Sequence, residues 1–178
     1  EVQEMLQKEL KKFKKCYHYA LESEKDQENE IYKRGFVAGF FDILHEGHIQ
    51  ILEQAKSQCE QLIVAVGTDE FMRIRKGRES VLSYDERVCI VSAIKYVDKV
   101  VPEIDLDKIS AYKKYKFDVM FAGDDHENEE IYIKDTKLLK EKYGVDTIYI
   151  KRNDVSSTKI RERVCALKQG CDGKIDSV

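Results

Sequence analysis

Two of the four histidines in the chain stand three residues apart, in the stretch Gly39-Phe40-Phe41-Asp42-Ile43-Leu44-His45-Glu46-Gly47-His48. Histidines spaced as His45 and His48 are can bind a metal, pack as neutral rings or donate hydrogen bonds to an anion. A zinc site needs more ligands, and His18 and His126 are not placed by local spacing to supply them. Gly47 removes a side chain where a ligand must approach the backbone. A helix starting there would aim its free N–H groups and its dipole at an anion. The pair therefore reads best as donors to phosphate oxygens, with two satisfied structural histidines as the plainer alternative.

Three further stretches carry chemistry. Arg73-Ile74-Arg75-Lys76-Gly77-Arg78 puts four cations in six residues; it is either a solvated charged loop or a phosphate-neutralising one. Phe121-Ala122-Gly123-Asp124-Asp125-His126 pairs two carboxylates that could hold Mg²⁺ through water, bond ribose hydroxyls, or merely serve a turn. In Lys151-Arg152-Asn153-Asp154-Val155-Ser156-Ser157-Thr158-Lys159-Ile160-Arg161, an arginine precedes three consecutive hydroxyls. One hydroxyl is a plain helix cap; Ser156, Ser157 and Thr158 together, after Arg152, look like a second phosphate cradle.

These stretches need a scaffold that brings them together. Apolar runs of strand type occupy Gly35–Phe41, Gln61–Gly67, Lys99–Ile104, Asp118–Gly123 and Asp146–Lys151, with helical patterns at 47–58, 84–96, 106–115, 131–143 and 157–167. Ser83 with Glu86 forms a capping-box signature for the second helix. Strand–helix alternation with continuously apolar strands predicts a doubly wound, Rossmann-like α/β domain with a five-stranded parallel sheet. Ligands in such sheets bind at the carboxyl ends of the strands, where all four stretches fall. Ahead of this domain, Val2, Leu6, Leu10, Phe13, Tyr17 and Leu21 mark an amphipathic helix, followed by a charged linker from Glu22 to Glu30. That helix is expected to pack on the domain or pair with a partner helix. The division predicted is 1–30 for extension and linker, 31–170 for the nucleotide-binding catalytic domain and 171–178 for a tail.

Bulk properties exclude several function classes. A net charge of −3 gives no broad basic surface for nucleic acid. No apolar segment approaches the roughly 20 residues needed to cross a bilayer, and no signal-peptide pattern opens the chain. The five cysteines are odd in number, spread along the chain and unpaired in spacing, which predicts reduced thiols in a cytoplasmic protein. The chain opens on Glu1 rather than Met, as expected of a piece of a longer protein. No Ser-His-Asp arrangement and no glycine-rich Walker loop is visible. Cations and hydrogen-bond donors dominate the four loops, which suits nucleotidyl transfer. A phosphate-monoester nucleophile is already largely ionised at neutral pH, its second pKa being about 6, and needs little general-base help. The reaction needs positioning and charge stabilisation at the α-phosphorus and the departing pyrophosphate.

With these residues in view, the chain resembles the cytidylyltransferases of the HxGH nucleotidyltransferase superfamily, in particular the bacterial glycerol-3-phosphate branch. The resemblance runs from about Phe36 to Ile160 and rests on GFFDILHEGH, VAVGTDEF, the stretch from Tyr84 through Arg87 to Lys95-Tyr96-Val97-Asp98, AGDD and SSTKI. It implies transfer of CMP from CTP to a small phosphorylated alcohol, giving a CDP-alcohol and pyrophosphate, with Mg²⁺ and a homodimer, for teichoic-acid-like or capsular polymers. It implies that His45 and His48 contact the triphosphate, that Lys76 neutralises phosphate, and that Arg152 with Ser156, Ser157 and Thr158 completes the cradle. Gly39, Phe40, Phe41, Asp42 and Gly47 would line the nucleotide pocket, with Asp124 and Asp125 near the nucleotide and its metal. Arg75, Arg78, Arg87, Lys95 and Lys151 are expected to serve the substrates. Three departures stand out: Phe40 replaces the family's usual threonine, Lys95 replaces an arginine, and the run from Arg152 to Ser156 is one residue short, so that Lys151 is expected to share the arginine's role. Alternatives are a phosphocholine or phosphoethanolamine acceptor, ATP-dependent adenylyl transfer, and a non-catalytic nucleotide-binding module.

Overall fold

The apolar runs become five strands, all parallel: β1 (Tyr32–Gly39), β2 (Cys59–Gly67), β3 (Lys99–Glu103), β4 (Val119–Gly123) and β5 (Asp146–Ile150), in the order β3-β2-β1-β4-β5. The structure is a computed structural model that describes residues 31–152 and 155–170; the expected amphipathic helix, its linker and the tail lie outside the described residues. Successive strand residues face opposite sides of the sheet, and both sides are covered, which is why the runs are continuously apolar. Val37, Val64, Val66 and Phe121 pack on one side with Leu52, Ala55 and Val91. Phe36, Ile63, Ala65, Val101 and Met120 pack on the other with Phe117 and Leu139.

The connecting helices are α1 (Glu46–Lys56), α2 (Asp69–Lys76), α3 (Tyr84–Ser92), α4 (Lys108–Tyr115), α5 (Glu130–Tyr143) and α6 (Ser157–Gly170), with a 3₁₀ turn at Asp124–His126. Strand order reverses at β1, with β2 and β3 on one side and β4 and β5 on the other, which opens a crevice at the carboxyl edge. The amino edge is tied by carboxylates. Asp98 accepts the Leu62 N–H at 2.6 Å and Lys56 Nζ at 2.6 Å, and Asp118 accepts the Arg34 N–H at 2.8 Å.

Several boundaries differ from the sequence expectation. β1 starts three residues earlier, at Tyr32, which pairs with Cys59, and stops at Gly39. Phe40 and Phe41 leave the strand for a turn in which Phe41 and Ile43 take left-handed φ values of 53° and 55°. The basic stretch is the end of helix α2 rather than a loop. Thr68 caps its start by accepting the Phe71 N–H at 3.2 Å, Gly77 ends it in the left-handed conformation, and Phe71 and Met72 are buried beneath it. Finally, α3 ends at Ser92 instead of running to Tyr96. Its start is the expected capping box, in which Ser83 Oγ accepts the Glu86 N–H and Glu86 accepts the Ser83 N–H at 2.8 Å.

Candidate active site

A cleft of about 460 Å³ lies over the carboxyl ends of the strands, walled by the Gly39–Asp42 turn, His48, the end of α2, the loops after β3 and β4, and the start of α6. Gly67 and Gly123 end their strands without side chains for a steric reason. A Cβ on Gly67 would stand 2.4 Å from the Phe40 ring, and one on Gly123 would stand 2.8 Å from Arg152. Both glycines let a neighbouring loop lie flat on the sheet edge.

His45 is the N-cap of α1, and the two imidazoles form a reciprocal capping box. His45 Nδ1 accepts the Gly47 N–H at 3.1 Å, and His48 Nδ1 accepts the His45 N–H at 3.4 Å. An Nδ1 that accepts carries no proton, so each neutral ring holds its proton on Nε2. Burial, with the charge of Arg152 next, lowers the His45 pKa below its ordinary value. Burial pushes His48 down to about 3, reinforced by His45 and Arg152 against the opposing charge of Asp42. The rings, 4.0 Å apart between centroids and tilted by 32°, are therefore a close pair of neutral donors at neutral pH. His48 lines the cleft; His45 stands beside it, and its buried Nε2 has no partner among the described residues. The capping role explains the three-residue spacing as directly as any ligand does, and because it uses only the Nδ1 atoms, His48, which lines the cleft, keeps its Nε2–H for one.

Asp42 ties three segments together. It is 2% exposed. Its Oδ1 accepts the N–H groups of Val81 at 2.9 Å and Leu82 at 3.2 Å, and its Oδ2 accepts Arg78 at 3.1 Å and Arg161 at 2.8 Å. Its carbonyl accepts Ser157 Oγ at 2.7 Å. Burial alone would raise its carboxyl pKa, but the bonds from Leu82, Arg78, Val81 and Arg161 together outweigh it and hold the group below the ordinary carboxylate value. Asp42 is thus a buried hub beneath the cleft floor. It fixes the turn that carries the two left-handed residues and orients two arginines that line the cleft.

Arg87 is placed differently from the sequence expectation. It is fully buried and does not line the cleft. Its guanidinium donates to the carbonyls of Leu82 at 3.0 Å, Phe40 at 2.7 Å and Gly67 at 2.6 Å, and to Asp69 Oδ1 at 2.5 Å. Asp69 also accepts Ser80 Oγ at 2.8 Å and the Tyr84 N–H at 3.0 Å. This pair fastens the Phe40 turn to the end of β2 from below, so Arg87 shapes the site without facing the substrates. Lys95 precedes β3 at the opposite, amino edge of the sheet, exposed and over the Tyr96 ring at 4.8 Å. Lys151 is exposed and does not line the cleft.

The remaining expected residues gather in the cleft, except Gly47 and Asp124, which do not line it. Arg75, Lys76, Arg78 and Arg152 line it, with Arg75 bridged to Glu129 at 3.4 Å and Lys76 making no ion pair among the described residues. Of the three hydroxyls, Ser156 caps α6 by accepting the Lys159 N–H at 3.2 Å, Ser157 is taken by Asp42, and Thr158 is exposed to the cleft. Asp124 accepts the Arg152 N–H at 3.1 Å, and Asp125 is ion-paired with the Arg152 guanidinium. Among the described residues no group of three or more His, Cys, Asp or Glu side chains is set to hold a metal. The two aspartates therefore act first as anchors for Arg152. Residues that the sequence reading passed over include Asp69, Glu103, Tyr132 and Arg161. Arg161 and Asp69 lay within stretches already singled out, the hydroxyl motif and VAVGTDEF, whereas Glu103 and Tyr132 lie outside the basic, paired-acid and hydroxyl motifs.

The cytidylyltransferase-like family model matches residues 36–163, which span the strands and loops of this cleft. The chain belongs to the cytidylyltransferase-like family. A glycerol-3-phosphate cytidylyltransferase from Bacillus subtilis (strain 168) is 36% identical over 76% of this chain and 99% of its own length. A FAD synthase from Korarchaeum cryptofilum (strain OPF8) is 39% identical over 78% of this chain and 95% of its own length. Among solved structures, a lipopolysaccharide core biosynthesis protein from Thermoplasma volcanium GSS1 aligns with a TM-score of 0.56 and 26% identity, covering 70% of this chain and 99% of that one. Membership makes the chain a nucleotidyltransferase-type enzyme, and its α/β fold with five parallel strands agrees. No helix among the described residues is long and apolar enough to cross a membrane.

Proposed function

We propose that the protein transfers a cytidylyl group from CTP to glycerol 3-phosphate or a related small polyol phosphate. An oxygen of the acceptor phosphate attacks the α-phosphorus, the bond between that phosphorus and the β-phosphate oxygen breaks, and pyrophosphate leaves with the electron pair. The observation that carries this reading is the histidine pair: two neutral rings whose Nδ1 atoms are committed to the helix start, which leaves the Nε2–H of His48, the ring that lines the cleft, as a fixed donor at the mouth of α1, with the buried His45 ring beside it. Donors fixed before the reaction stabilise charge that develops at the transferred phosphoryl group without reorganising. Lys76 and Arg152 supply positive charge to the triphosphate, and Thr158 with the α6 start supplies donors. No residue is required as general base, because the acceptor phosphate is already ionised.

A Mg²⁺ ion would enter with the triphosphate, held mainly by phosphate oxygens and water, as is usual for this ion. The commitment of Asp124 and Asp125 to Arg152 fits that arrangement better than a resident metal site. Its chemistry there would be to neutralise the leaving pyrophosphate. The relatives at 34–37% identity named glycerol-3-phosphate cytidylyltransferase support the acceptor, and polymer synthesis of the teichoic or capsular kind is the matching use of a CDP-polyol. A homodimer is part of the same reading.

The FAD synthase relatives, equally similar, favour a second reading, since FAD is flavin mononucleotide carrying an adenylyl group. The two readings separate in one experiment. The protein is incubated with Mg²⁺, CTP or ATP, and glycerol 3-phosphate, ethanolamine phosphate, choline phosphate or flavin mononucleotide, and pyrophosphate release is followed. Release is expected with CTP and glycerol 3-phosphate. Release only with ATP and flavin mononucleotide would overturn the cytidylyl reading, and no release with any pair would favour a binding module.

A further inference from the structure

Glu103 and Lys108 form a buried ion pair that the phosphate chemistry does not use. Glu103 is 8% exposed and Lys108 3%, and Lys108 Nζ donates to Glu103 Oε1 at 2.5 Å. A buried pair of this kind adds little stability over apolar residues of the same volume, so its position in the cleft wall calls for another account. Glu103 ends β3 and lines the cleft together with Leu106, His126 and Tyr132. His126 and Tyr132 are stacked with centroids 4.6 Å apart, and the charges of Glu103 and Arg75 both act on Tyr132.

The sheet order assigns Glu103 to one half of the site, whereas His126 and Tyr132 follow β4 in the other. Arg152 and the α6 start follow β5, on one flank of β1; Glu103 and Arg75 follow β3 and β2, on the other. With Arg152 and the α6 start on the β4–β5 flank, the histidines at the tip of β1 and Lys76 at the end of α2 all given to the triphosphate, the wall at the end of β3 is left for the acceptor. A carboxylate there repels phosphate, so it faces the part of the acceptor that carries none. Because Lys108 neutralises it, the pair offers no net charge to attract a cationic head group. What it offers is one acceptor oxygen, since Lys108 is the partner of Oε1 and is the only side chain bonded to this carboxylate among the described residues.

We propose that Glu103, held in place by Lys108, is a specificity-determining residue that accepts a hydrogen bond from a hydroxyl of the acceptor. The inference rests on the polyol-phosphate reading above, and under it an acceptor with a free hydroxyl is expected to be chosen over an amine or a bare alkyl phosphate.

The test compares glycerol 3-phosphate with 1,3-propanediol monophosphate, which lacks the secondary hydroxyl. The unsubstituted protein, Glu103→Gln and the double variant Glu103→Leu/Lys108→Met are assayed with CTP, and each is checked by thermal melting. The double variant removes both charges together, so no unpaired charge is left buried. The unsubstituted protein is expected to favour glycerol 3-phosphate by about 100-fold or more in kcat/KM, the scale for a site built around a hydroxyl. The double variant should lose most of that preference through acceptor KM, while KM for CTP stays within about twofold. Glu103→Gln should fall between the two. Full discrimination in a folded double variant would overturn the role of Glu103 and leave the cytidylyl reading intact, and so would a parallel rise in KM for CTP. Turnover by the unsubstituted protein with ATP and flavin mononucleotide only would overturn both.

Discussion

In an Asp42→Asn variant the amide oxygen can still accept the N–H groups of Val81 and Leu82, but the other position becomes an NH₂ group facing the guanidinium donors of Arg78 and Arg161. Two charge-assisted hydrogen bonds are lost and donors are set against donors. Each such bond contributes about 1.5–3 kcal/mol. Both arginines are partly exposed, at 35% and 26% of their side chains, so they regain water when released and the loss is discounted to about 2–4 kcal/mol in total. The turn suffers further, because Phe41 and Ile43 are held in left-handed conformations that cost about 1–2 kcal/mol each and persist only while the surroundings enforce them. Urea unfolding should show the midpoint lowered by about 1–2 M at an unchanged slope of about 2 kcal/mol/M. Turnover should fall as well, because the turn carries the cleft floor. The carboxylate's contribution is complete above the unfolded value of 3.8 and is lost as pH falls through the lower folded value. The gap between the two proteins should therefore close in acid. A variant within about 0.5 kcal/mol of the parent at pH 7 would refute the hub, since that is the range of an ordinary surface change.

Four other outcomes are expected. His48→Ala should lower kcat by about 100-fold or more, the scale for losing one fixed donor in the transition state, measured as pyrophosphate release; near-normal turnover would return the motif to helix capping alone. Because the folded protein holds His48 neutral down to about pH 3 while the unfolded chain takes up a proton below 6.5, stability is full above 6.5 and declines as pH falls toward 3. The decline is up to about 1.4 kcal/mol per pH unit, and unfolding midpoints at pH 7 and pH 5 check it in the parent and in His48→Ala, whose slope should be shallower. Arg87→Met should destabilise by about 3–5 kcal/mol, because Asp69 and three carbonyls lose their donor, whereas Lys95→Ala should leave kcat/KM within about twofold; denaturation and steady-state kinetics separate the two.

The sequence by itself determined the α/β class, the five strands and the residues at their carboxyl ends, because continuous apolar runs between amphipathic stretches admit few arrangements other than a covered parallel sheet. It also determined the chemistry of the loops, since imidazoles, guanidiniums and hydroxyls keep their character in any fold. It did not reveal that Asp69–Lys76 is a helix, because an eight-residue helix with three cations in its last turn carries too short an apolar pattern. Nor could it distinguish a cation in the cleft from one beneath it. Arg75, Lys76 and Arg87 are all cationic in sequence, yet Arg87 is buried under the turn while the other two face the opening. The same holds for Asp42 and Glu103, whose partners lie 36 to 119 residues away in the first case and only five away, but buried, in the second. Tertiary structure alone decided those roles, because a charged side chain's work is set by which donors and how much water surround it, and neither is a property of local sequence.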